Sequence, residues 1–111
     1  YSHDSGAIRH KRFIDLTNAA AYLFKQGYFV FSPISSSHPM KEIGGLEADW
    51  KYWARFDTFM INLCDEMIIV ELDGWRESVG VNAEIEIAKK LGKPIRYMDQ
   101  YSFKIFEGPL T

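Results

Sequence analysis

Residues 66–98 read EMIIVELDGWRESVGVNAEIEIAKKLGKPIRYM, and the order of patterns inside them decides the fold. Glu66-Met67-Ile68-Ile69-Val70-Glu71-Leu72 is a continuous apolar run with β-branched residues, which reads as a buried strand. Asp73-Gly74-Trp75 then turns the chain. From Val79 to Leu91 the apolar residues Val81, Ile85, Ile87, Ala88 and Leu91 predict a helix, and Gly92 stops it. Pro94-Ile95-Arg96-Tyr97-Met98 supplies a further strand. Unbroken apolar strands that alternate with helices imply a parallel sheet covered on both faces, so the class is α/β.

Upstream the alternation repeats. Phe13, Leu16, Ala20, Leu23 and Phe24 recur at helical spacing between Ala7 and Gln26, with Gly27 as the stop. Tyr28-Phe29-Val30-Phe31, closed by Ser32-Pro33, reads as another buried strand, and Ser35-Ser36-Ser37-His38-Pro39 as a loop. A second helix is expected from Glu47 to Leu63. In open α/β sheets ligands settle beyond the carboxyl ends of the strands, which directs attention to the loops after Phe31 and Leu72.

The totals bound the function. With 111 residues the chain is expected to form one domain, 1–111, with one site. Apolar residues at 47% and charged residues at 25% describe an ordinary folded protein rather than a disordered or fibrous one. A net charge of −2 with scattered Lys and Arg leaves no basic stripe for a nucleic-acid polymer. Cys64 is the single cysteine, so no intrachain disulfide or cysteine metal cluster is expected. No apolar run approaches the roughly 18 residues of a membrane span, and no leader pattern is visible, so the cytoplasm is the expected location. His3, His10 and His38 are scattered, which argues against a metal centre, and no cofactor is called for.

Two acids stand on apolar helix faces. On the helix over 47–63, Trp50, Trp53, Ala54, Phe56, Met60, Ile61 and Cys64 share one broad face, and Asp57 lies inside it. An unpaired buried carboxylate is costly, so Asp57 must find a hydrogen-bonding partner, reach a wet cleft or hold a proton. On the next helix Glu84 falls within the apolar arc, whereas Glu86 lies between Lys89 and Lys90 on the polar side. Glu86 reads as a solvated residue paired along the helix; Glu84 either serves the helix dipole or faces the ligand crevice. Two inward carboxylates suit cleavage of a glycosidic bond, in which one attacks the anomeric carbon and the other handles the leaving group's proton.

The ordered set of Asp57, Asp65 at the head of a strand, the Asp73-Gly74-Trp75 turn and Ser78-Val79-Gly80-Val81-Asn82-Ala83-Glu84 opening a helix resembles the nucleoside 2-deoxyribosyltransferase superfamily. The phrases "VFSPISSSHP", "DWKYWARFD" and "LDGWRESVGVNAEIEIAKKLGKPIRYM" further resemble a small bacterial and phage family within it. The resemblance implies a Rossmann-like three-layer sandwich around a small parallel sheet. It also implies that Glu84 is the nucleophile at the sugar's anomeric carbon and that Asp57 contacts the base and assists its departure. Ser78 falls where the transferases carry an aspartate and the deoxynucleoside 5′-monophosphate N-glycosidases a phosphate-holding serine. A hydroxyl beside the backbone N–H groups of a helix start suits a phosphate, although Ser78 equally suits a plain helix N-cap.

Relatives in that superfamily begin with a strand before the first loop, and this chain starts at Tyr1, just beyond it; truncation is the expectation. Tyr1-Ser2-His3-Asp4-Ser5-Gly6 would then end a phosphate-cradling turn, with Ser2 and His3 as ligand candidates beside Ser78 and Gly80. Trp53 and Trp75 are candidates to line the base pocket, or else belong to the core. The expected activity is N-glycosidic cleavage of a nucleoside 5′-monophosphate or related nucleotide. Base exchange by a transferase and a non-catalytic nucleotide-binding module are the alternatives. A phosphoribohydrolase is disfavoured because its glycine-rich signature is absent. A homodimer or higher homo-oligomer is also expected, with the aromatic helix over 47–63 as its interface.

Overall fold

The structure, a computed structural model, describes residues 6–110. Its elements are α1 (Gly6–Lys25), α2 (Pro33–Glu42), α3 (Trp50–Leu63), β1 (Met67–Glu71), α4 (Val79–Lys90), β2 (Ile95–Asp99) and β3 (Ile105–Phe106), with one 3-10 turn at Trp75–Glu77. The strand–helix–strand unit stands where its patterns place it. β1 and β2 pair in parallel from Met67↔Ile95 to Glu71↔Asp99. β3 adds antiparallel to β2, opposing Tyr97 to Phe106 and Met98 to Ile105, so the sheet is mixed rather than wholly parallel.

Strand alternation sends neighbouring side chains to opposite faces, and each face meets its own helix. On one side Ile69 and Leu72 pack with Trp75 and Val81, joined by Met67, Ile85, Ile95 and Tyr97. On the other, Met98 is fully buried against Ala19 and Leu23, with Tyr22, Ile68, Phe103 and Ile105 around them. α2 packs on α1 and α3 on α4, which yields a small Rossmann-like fold of three layers. α1 ends where Gly27 takes φ +99, a left-handed conformation that residues with a Cβ rarely adopt. The Tyr28 N–H then reaches back to the Leu23 carbonyl at 3.1 Å and closes the cap.

The structure corrects two expectations. Tyr28–Phe31 is not a strand of the sheet among the described residues. Side chains hold it instead: Arg96 Nη2 donates to Tyr28 Oη at 2.9 Å while its Nε donates to Glu66 Oε1 at 3.1 Å. Phe29 is wholly exposed, and Val30 and Phe31 border a cavity that β1 also lines. The Ser35–Pro39 stretch, expected as a loop, lies inside α2. Pro33 occupies the first turn, where a missing N–H costs nothing. Tertiary contacts outweigh the poor helix propensity of the serines: Ser35 Oγ bonds Thr17 of α1 at 2.7 Å, and Ser37 and His38 are buried.

Candidate active site

The site is built from the two helices on the α3–α4 side of the sheet. Asp49 caps α3 by accepting the Tyr52 N–H at 2.9 Å, and the helix starts three residues later than Glu47. Glu47 instead supplies its carbonyl to the Trp53 indole N–H at 2.7 Å, which fixes that ring. One turn on, Asp57 is turned inward and only 6% exposed. α4 opens at Ser78, whose hydroxyl accepts the Val81 N–H at 3.2 Å. Asn82 locks the entry by donating to the Arg76 and Ser78 carbonyls at 2.8 and 2.9 Å. Glu84 then emerges on the side facing α3, while Glu86 is exposed and stands 3.9 Å from Lys89.

Asp57 and Glu84 meet through a side-chain hydrogen bond. Two carboxylates that close repel each other, so the pair holds a proton to a higher pH than an ordinary carboxyl does. Burial, then the charge of Asp57 and the hydrogen bond to it, push Glu84 up to about 7. Burial also raises Asp57, opposed by the Lys41 ammonium and by the hydrogen bond to Glu84. Both acids line a cavity of about 200 Å³ that extends along β1 from Met67 to Val70. Asp57, Glu84, Asp49 and Lys41 stand in a lining that is otherwise mostly aliphatic and aromatic.

Of the residues singled out in the sequence, Asp57, Glu84, Trp53 and Gly80 all border this cavity. Ser78 is buried with its hydroxyl engaged as the α4 cap, and it is not on the cavity wall. Trp75 belongs to the core, tilted against Tyr97 and covered by Arg76, and does not reach the cavity either. Ser2 and His3 lie outside the described residues. Lys41 is absent from the candidates that the sequence offers. The signal that would have found it is the helical phase of α2, hidden by reading the serine-rich stretch as a loop. Among the described residues no cluster of His, Cys, Asp and Glu is placed to hold a metal ion. Nor, among the described residues, is any helix long and apolar enough to cross a membrane.

A family model described as a domain of unknown function, DUF1937, matches residues 1–100. No curated protein matches the chain.

Proposed function

The chain belongs to the DUF1937 family, and from its site we propose that it cleaves the N-glycosidic bond of a nucleoside 5′-monophosphate or related nucleotide. The observation that carries this reading is the hydrogen-bonded Asp57–Glu84 pair on the wall of an aromatic cavity. With one proton between them, the two carboxyls hold what the reaction consumes: an acid for the leaving base and an anion for the sugar.

In the free pair Glu84 keeps the proton; the productive state is reached when it passes along the shared hydrogen bond to Asp57, which leaves Glu84 ionised. Asp57 gives that proton to a ring nitrogen of the base as the C1′–N bond breaks and its electron pair leaves with the base. The Glu84 carboxylate attacks C1′ and forms a glycosyl ester. Water then attacks C1′, Asp57 takes its proton, and Glu84 departs as carboxylate. A second base in place of water gives transfer from the same intermediate. Trp53, held by its indole N–H, offers a flat face for the base. The same reading includes a homo-oligomer, supported by the exposed aromatic stripe on the outer side of α3.

The test is release of free base from a panel of nucleotides by the purified chain. Glu84→Gln is expected to abolish release, because an amide neither attacks C1′ nor leaves as an anion, with Glu86→Gln close to wild type. Equal losses in the two variants overturn the assignment. Retained nucleotide affinity in Glu84→Gln with no base release from wild type points instead to a binding module.

A further inference from the structure

We infer that Lys41 is the specificity-determining residue of the base subsite, selecting bases that carry an exocyclic carbonyl over those that carry an amino group at the same position. The inference rests on the glycosidase reading above and names the leaving group that the site fits.

Lys41 of α2 lines the same cavity as Asp57 and Glu84, and its ammonium lies beside the Trp53 ring. Among the described residues no carboxylate stands within ion-pair distance of its Nζ. What it has is the Trp53 ring, 5.6 Å from Nζ to the centroid, and the field of Asp57. Burial accordingly pulls the Lys41 ammonium below its ordinary value, against the pull of Asp57. Behind it lies a second cavity of about 160 Å³, lined by Arg9, His38, Glu42 and Leu46 and sharing Lys41, Ile34 and Ala48 with the first. The Arg9 charge opposes the ammonium while the Asp57 charge favours it.

An ammonium has three donors and no acceptor. Beside a base lying on Trp53, it pairs with a carbonyl oxygen and opposes an amino group, whose N–H bonds meet it donor to donor. The preference grows during reaction. As the C1′–N bond breaks, its electron pair spreads through the ring onto the carbonyl oxygen, and a fixed cation there stabilises the transition state more than the bound substrate. Asp57 then protonates the ring nitrogen, and the base leaves neutral. A partly buried cation short of a counter-charge is thereby matched to a leaving group that acquires one.

The experiment compares nucleotides that differ at this group and at the proton of the adjoining ring nitrogen, inosine against adenosine monophosphate and deoxyuridine against deoxycytidine monophosphate. Wild type is expected to favour the carbonyl member of each pair by at least about tenfold in kcat/KM, the scale of one hydrogen bond to a charged group. Lys41→Met removes the preference by slowing the carbonyl members alone, and Lys41→Arg, which keeps the donors, retains most of it. A wild-type preference for the amino members, or an equal loss on both members in Lys41→Met, overturns the inference. Free uracil and cytosine, titrated against tryptophan fluorescence, give a readout that needs no turnover. Tighter binding of uracil that disappears in Lys41→Met supports the subsite even if no nucleotide is cleaved; equal binding of both bases sinks it even if cleavage occurs.

Discussion

Glu84 and Asp57 compete for a proton, and under the proposed mechanism that competition sets the rate of cleavage as well as stability. Among the described residues, the charged groups that act on the pair are Asp57 from α3, Glu84 from α4 and Lys41 from α2, whose charge acts on Asp57. Cleavage needs one proton in the pair. Above about 7, where Glu84 in the free protein loses its proton, the acid disappears and kcat/KM is expected to fall. Towards acid, protonation of both carboxyls removes the nucleophile, so the profile is a bell; Asp57→Asn flattens its alkaline limb if the residue is the acid. Stability follows from the same shift. A carboxyl whose folded value is raised keeps its proton while the unfolded chain has already released it. Stability is therefore fully present below the unfolded value of about 4.3 and is lost as pH rises towards about 7. Glu84→Gln, which resembles the protonated form, is expected to unfold at higher temperature than wild type at pH 8, by on the order of 1–2 kcal/mol, and to match it at pH 4. Thermal melts at the two pH values check this, and a lower melting temperature for the variant at pH 8 contradicts a buried acid at this position.

At the scale of elements, the site depends on where α3 and α4 begin. Ser78 caps α4 with its hydroxyl while its carbonyl holds Asn82, and Glu84 stands one and a half turns further on. Ser78→Ala is expected to cost about 1 kcal/mol in denaturant unfolding, with nucleotide KM little changed because its hydroxyl is off the cavity wall. A large rise in KM without loss of stability returns Ser78 to the role of phosphate ligand. The strip 28–31 is held at its first residue by the Arg96 bridge between Tyr28 and Glu66. Arg96→Met leaves Glu66 unpaired and is expected to destabilise by about 1–2 kcal/mol, visible in the same unfolding experiment. The two acids are legible in the sequence because a carboxyl in an apolar helical phase must be paired, protonated or open to a wet cleft. Lys41 is not, since its helix carries serines and two prolines and has its phase set by contacts with α1 rather than by its own pattern.

Over the whole molecule, α3 has two apolar sides. Its inner side carries Asp57 and Ile61, both buried; its outer side exposes Tyr52, Phe56, Phe59 and Leu63 at successive helical turns. A stripe that broad suits contact between two copies about a twofold axis. Light scattering is expected to give a dimer for wild type and a monomer for Phe59→Glu; a wild-type monomer at all concentrations ends that expectation. The α/β class, the β1–α4–β2 unit and the inward phase of Asp57 and Glu84 were determined by the sequence alone, because apolar periodicity and glycine stops act locally. The tertiary structure decided the rest. A strip at 28–31 held by side chains instead of a strand ladder, a helix drawn from a serine-rich stretch, a core position for Trp75 and the approach of Lys41 to Asp57 all depend on which surfaces compete for burial once the layers close.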